Sequence, residues 1–160
     1  MTTESSSSAD PAAARLAGDV QTRSVRADWR GGYRVELEIR DGRFSLICDE
    51  SPEDGGADAG PMPSEMLFAS VASCFAMAMA WAARKRREEL PDLVVTVNGR
   101  YDRPERRYDT LEIVASSTLA VDSPDQFAAM LRLAREVCWV TRSIEPGIAI
   151  SIRAGDSVEA

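Results

Sequence analysis

The sequence predicts an α+β domain, and three patterns predict it: short segments whose apolar residues alternate, one long apolar run, and one stretch whose apolar residues recur every three to four positions. Antiparallel sheet strands are therefore expected beside two helices. With 160 residues and 44% hydrophobic content, the chain can build one core but not two comfortable ones. Residues 1–22, rich in Ser and Ala, read as a flexible N-terminal tail, and residues 23–160 as a single domain.

The elements follow in order. Tyr33, Val35, Leu37 and Ile39 alternate with Arg34, Glu36, Glu38 and Arg40, which is the pattern of a half-buried strand. Asp41-Gly42 turns it into a hairpin partner, Phe44 to Cys48. The stretch Gly55-Gly56-Ala-Asp-Ala-Gly60-Pro61 reads as a flexible loop; it lacks a preceding strand and a phosphate-loop Lys, which excludes nucleotide binding. From Met66 to Ala83 only Ser70 and Ser73 interrupt the apolar run, and seven of its residues are Ala. It sits at the short limit for crossing a bilayer, and its composition reads instead as a helix buried on nearly all sides. Such a helix needs more covering surface than this chain supplies, which points to a dimer. Leu93 to Tyr101 and Leu111 to Val121 supply two more strands across a polar turn, and Ile148 to Ile152 a last one. Between them, Ser123-Pro124-Asp125-Gln126 has a capping-box pattern with Pro at the first helical position. It opens a helix whose Phe127, Met130, Leu131, Ala134, Val137 and Cys138 share one apolar face.

Charge narrows the function classes. A net charge of −7 gives no general attraction for phosphate backbones or anionic lipid, so neither nucleic acid nor membrane is expected as a partner. The run Arg84-Lys85-Arg86-Arg87 is followed at once by Glu88-Glu89 and reads as the solvated last turn of a helix. The N-terminus has no basic start and no hydrophobic segment, so a cytoplasmic location is the default expectation.

The distinctive chemistry is sulfur. Cys74 and Cys138 fall in the two most hydrophobic helical stretches, the chain has no histidine, and neither cysteine belongs to a Cys-x-x-Cys pair. In a reducing compartment all three cysteines are expected as thiols. Cys48 shares a strand face with Phe44 and Leu46 and reads as packing, while Trp29, Trp81 and Trp139 read as core or dimer-interface anchors. No metal or cofactor site is expected.

The string Gly55 to Cys74, with Gly60-Pro61-Met-Pro63-Ser-Glu65-Met-Leu, resembles the signature of the OsmC/Ohr family, the osmotically inducible and organic-hydroperoxide-resistance proteins. So does Cys138-Trp-Val-Thr-Arg-Ser-Ile-Glu-Pro-Gly147, and the similarity covers roughly residues 25 to 153. It implies an OsmC-like fold: an intertwined homodimer with a buried central cysteine-bearing helix and a second cysteine-bearing helix. It also implies that Cys74 is the peroxidatic thiol and Cys138 the resolving one. The expected partners are then an organic hydroperoxide and a dithiol or lipoyl-type reductant. Without histidine the Cys74 thiolate needs another stabilising group, and a guanidinium is the obvious one. Family peroxidases pair a hairpin Arg with a Glu ten residues before the first cysteine. Here that position is Ser64, and Glu65 lies about 100° further round a helix. Glu65 is thus expected not to hold the guanidinium as that Glu does, and this places the chain with the generic OsmC-like branch. Arg30 and Arg34 are both candidates for the hairpin arginine, with Arg142 a third. A cysteine-based peroxidase is the leading expectation; a non-enzymatic OsmC-like dimer binding a small apolar ligand is the alternative, and a purely structural dimer a third class.

Overall fold

The computed structural model describes residues 22–155, so the expected tail lies outside the described residues except for Thr22. The chain divides after Pro61 into two compact units, taken in turn.

The first unit is a three-stranded antiparallel sheet of β1 (Val25–Trp29), β2 (Val35–Ile39) and β3 (Phe44–Cys48), in that spatial order. The backbone reverses through Arg40 to Arg43 and sets Ile39 opposite Phe44 and Val35 opposite Cys48. The register puts Leu37 beside Ala27 and Leu46 on the apolar face, with Glu36 beside Asp28 and Ile47 on the other. After β3 a short 3-10 turn (Pro52–Asp54) leads into the glycine-rich segment. That segment is organised rather than flexible. The buried Asp49 carboxylate accepts the N–H groups of Glu50 (2.9 Å), Ala57 (3.2 Å) and Ala59 (3.2 Å), while Asp58 N–H reaches the Glu50 carbonyl. At Gly60 the chain runs so close to Ile47 that a Cβ would collide with its carbonyl.

The second unit begins with α1 (Pro63–Arg86). Proline stands in its first turn, the Glu65 carboxylate accepts the Met62 N–H at 2.8 Å, and Arg84, Lys85 and Arg86 complement the C-terminal dipole. Arg87 then turns left-handed (φ 58°) and ends it, with Glu88 N–H closing onto the Ala83 carbonyl. A mixed sheet follows, ordered β4 (Val94–Asp102), β5 (Arg107–Ser116), β6 (Ala149–Ala154). β4 and β5 are antiparallel, but β6 lies parallel to β5, which corrects the expectation of antiparallel strands alone. A parallel return needs a long crossover, and three helices provide it: α2 (Thr118–Asp122), α3 (Pro124–Val137) and α4 (Trp139–Ile144).

Two boundaries differ from the sequence reading. The strand expected over Leu111–Val121 begins at Arg107 and stops at Ser116, because the Ser117 hydroxyl accepts the Leu119 N–H and opens α2. The Asp92 carboxylate holds that junction by accepting from Thr118 N–H and from both hydroxyls. The expected capping box at Ser123 is not closed either: Pro124 does start α3, but the Ser123 side chain makes no cap bond.

The core of this unit is α1 and α3 packed on the sheet. Val71, Phe75, Met79 and Ala82 meet Leu111, Ile113 and Ala115 of β5 and Phe127, Met130 and Ala134 of α3. Phe75 and Met79 are fully buried, and burial on that scale stabilises by about 1.5–3 kcal/mol per side chain. α1 is not buried on nearly all sides within one chain. Ala69, Ser70, Ser73, Met77, Ala80 and Trp81 form an exposed stripe along it.

Candidate functional site

α1 carries Cys74 one position before the buried Phe75, so its side chain leans on the core yet keeps partial exposure. Cys138 is not inside a second helix. It ends α3 and precedes α4 in an extended conformation (φ −71°, ψ 108°), a correction to the expected cysteine-bearing helix. Two helices nevertheless fix it, because its N–H reaches the Ala134 carbonyl at 2.9 Å and its own carbonyl accepts the Arg142 N–H at 3.2 Å. The joint turns the side chain inward, leaving Cys138 1% exposed.

The two sulfurs stand 3.4 Å apart, both as free thiols, with the Cys138 S–H donating to Cys74 Sγ. A disulfide would bring them to about 2.05 Å, a closure of roughly 1.4 Å that side-chain rotation can supply. Burial pushes the Cys138 thiol's pKa up, and the Cys74 sulfur adds to the rise. The Thr141 hydroxyl and N–H work the other way. Burial thus favours the protonated form of Cys138.

Beside Cys74 opens a groove of about 410 Å³ lined by Met77, Ala78, Trp81, Val137 and Trp139. Its walls are apolar or aromatic, so it suits a hydrocarbon substituent placed next to the sulfur. Trp139, read from sequence as an anchor, is 80% exposed here.

The other candidates are placed as follows. Arg30 and Arg34 belong to the first unit, where Arg30 Nε meets Glu36 Oε2 at 2.9 Å and Arg34 Nη2 meets Glu36 Oε1 at 3.3 Å. The Arg30 guanidinium, opposed by partial desolvation and helped by Arg34, holds the Glu36 carboxyl below its usual range. Glu36 was not singled out from the sequence; the available signal was its same-face spacing from Arg34. Glu65 caps α1, as its bond to Met62 requires. Arg142 is exposed and donates to the Glu136 carbonyl. Cys48 is buried at the end of β3. Thr141, buried against Cys138, was also missed; a hydroxyl three residues after a cysteine was its signal. Among the described residues no group of three or more His, Cys, Asp or Glu side chains could hold a metal ion.

A family model described as OsmC-like protein matches residues 55–153. Among curated proteins none matches the chain in sequence. The fold is similar to that of a protein from Legionella pneumophila described as organic hydroperoxide resistance protein OsmC, a predicted redox protein (24% identity, TM-score 0.70, covering 87% of this chain and 98% of that one). It is similar also to a putative organic hydroperoxide resistance protein of Vibrio cholerae with captopril bound in one of its active sites (17% identity, TM-score 0.70, 87% and 96%). An OsmC-like protein from Mycoplasma pneumoniae gives 12% identity and a TM-score of 0.72 over 84% of this chain and 96% of that one. At such identities the likeness is one of fold.

Proposed function

The chain belongs to the OsmC-like protein family, and from that premise we propose that it is a thiol peroxidase reducing organic hydroperoxides to alcohols through a Cys74–Cys138 disulfide. The observation that carries this reading is the pair of free-thiol sulfurs standing 3.4 Å apart. Cys74 attacks as thiolate on the terminal oxygen of R–O–O–H; the O–O bond breaks, the alkoxide departs and is protonated to the alcohol, and Cys74 becomes a sulfenic acid. Cys138 sulfur then attacks Cys74 sulfur, its proton leaves with the hydroxide as water, and the disulfide forms. A dithiol or lipoyl-type reductant gives up two hydrogens to restore both thiols and becomes a disulfide itself. The groove supports an organic substituent over a bare hydroperoxide. Arg30 or Arg34 serves as the guanidinium that stabilises the thiolate, and the working form is a homodimer in the cytoplasm.

A stoichiometric addition of an alkyl hydroperoxide, followed by thiol titration in denaturant, tests this. Two thiols per chain are expected to disappear, with Cys74→Ser consuming no peroxide and Cys138→Ser consuming one equivalent and leaving a trappable sulfenic acid. Retention of all three thiols would overturn the peroxidase. The same groove would then favour the second reading, a non-enzymatic dimer holding a small apolar ligand beside idle thiols.

A further inference from the structure

Thr141 is the third residue of α4, and no part of it is exposed. Its hydroxyl donates to the Cys138 carbonyl at 3.1 Å, while its N–H lies in the first turn, where no carbonyl of the helix can reach it. Cys138 is the N-cap of α4, so Thr141 holds the position whose N–H a capping side chain ordinarily takes, and the Thr141 donors favour the Cys138 anion, although no cap bond to the sulfur is closed. A buried sulfur that becomes negative has no water to stabilise it. The Thr141 hydroxyl, fully buried and bonded to the carbonyl of Cys138 itself, is a donor on a rotatable side chain beside that sulfur.

We propose that Thr141 is a positioning residue for Cys138: its hydroxyl swings to the Cys138 sulfur when that sulfur leaves as a thiolate, and so offsets the cost of burying that charge when a reducing dithiol attacks the exposed Cys74 end of the disulfide. The reading rests on the thiol-peroxidase proposal only for the origin of the disulfide. In the step itself, one thiolate of the dithiol attacks Cys74 sulfur and forms a mixed disulfide. The Cys74–Cys138 bond breaks, and its electron pair goes to Cys138 sulfur, which is later protonated from solvent. The dithiol's second thiolate then displaces Cys74, and the dithiol ends as a cyclic disulfide. The leaving sulfur departs faster the better its anion is stabilised. Cys74, partly exposed, is also the accessible end of the bond.

The test uses the full-length chain with its disulfide formed by diamide, so that no peroxide chemistry is required. Reduction by dithiothreitol is followed by stopped flow in the unmodified chain, Thr141→Val and Thr141→Ser. Losing one hydrogen bond to a charged sulfur is expected to slow Thr141→Val about ten-fold, and the hydroxyl of Thr141→Ser to restore the rate to within about two-fold. A folded Thr141→Val with an unchanged rate, or a Thr141→Ser as slow as it, would overturn the proposal. If Thr141→Val does not fold, Thr141→Ala takes its place with the same expected slowing, an unchanged rate in it overturning the proposal, as would a 2-mercaptoethanol adduct found by mass spectrometry on Cys138 rather than Cys74 of the unmodified chain. Failure of the peroxidase reading looks different, because alkyl hydroperoxide would then leave both thiols intact while the diamide-formed disulfide still opened as described.

Discussion

A thiolate at Cys138 would lose nearly all of its hydration, since that side chain is 1% exposed, whereas Cys74 opens onto a groove. The same element of sequence, an inward-facing cysteine on an apolar helical stretch, therefore acquires opposite properties at the two positions. Burial favours the thiol form of Cys138, which donates a hydrogen bond to Cys74 sulfur, an arrangement that fits a nucleophile at 74 and a resolving thiol at 138. The proposed part of a hairpin guanidinium in activating Cys74 is testable by rate. Arg30 and Arg34 share the two oxygens of Glu36, so each is held while the other is removed. If one activates the thiolate, its replacement by Ala should lower the second-order rate with an alkyl hydroperoxide roughly ten-fold or more, the worth of one charge-assisted bond. Equal rates in Arg30→Ala, Arg34→Ala and the unmodified chain would remove the hairpin from the mechanism. A second residue-scale prediction concerns Gly99, where a Cβ would strike the Phe68 ring and Leu111. Phe68 packs edge-on to Tyr108 at 4.9 Å, so it cannot give way freely. Gly99→Ala should cost about 1–3 kcal/mol in urea denaturation, with the slope of the transition unchanged.

At the scale of elements, what could be read from the sequence is what local chemistry determines. The β2–β3 hairpin is legible because Asp41-Gly42 supplies the turn and Val35, Leu37 and Ile39 keep a period of two. α1 is legible from its apolar run, and Pro124 marks the start of α3. The break at Cys138 is not legible, because no helix breaker stands between Val137 and Trp139 and the apolar spacing runs through the joint to Val140 and Ile144. β5 likewise reads on through Leu119 and Val121, because the contact that stops it comes from Asp92, some 25 residues away. The glycine-rich loop looked flexible by composition, yet the deciding residue, Asp49, lies before it in sequence. That residue makes the loop acid-sensitive. Burial opposes the charge on Asp49, but three backbone N–H donors and the Arg34 charge outweigh it and hold the carboxyl below the usual carboxylate range. A depressed pKa contributes stability that is present above the unfolded value and is lost as pH falls through the folded one. Exchange of the Ala57 and Ala59 amides, corrected for the intrinsic pH dependence, should therefore accelerate below about pH 4. In Asp49→Ala it should be fast at neutral pH as well. Protection that persists in Asp49→Ala would show that another group holds the loop.

At the scale of the whole molecule, the described residues leave large apolar side chains exposed that a second copy could cover. On α1, Met77 is 72% and Trp81 38% exposed, and both line the groove beside Cys74 together with Trp139. The first sheet shows the same excess at Val25, Trp29 and Phe44. Small residues at Ala69, Ser70, Ser73 and Ala80 along the α1 stripe would let a second backbone come close, and a second copy of α1 offers a matching surface. The protein is therefore expected to be an obligate homodimer in which the two copies bury an interface of roughly 2,000 Å² or more. Because the stripe and the groove share Met77 and Trp81, the partner would also wall the site and shield the sulfenic acid from water. Met77→Asp places a charge in the middle of that surface, where burying it unpaired costs several kcal/mol. Sedimentation should accordingly show a dimer for the unmodified chain at micromolar concentration and a monomer, or an unfolded chain, for Met77→Asp. Peroxide consumption should fall with the dimer fraction rather than remain constant. A folded, active monomer of either protein would show that a single chain covers its own site, and the exposed stripe on α1 would need another explanation.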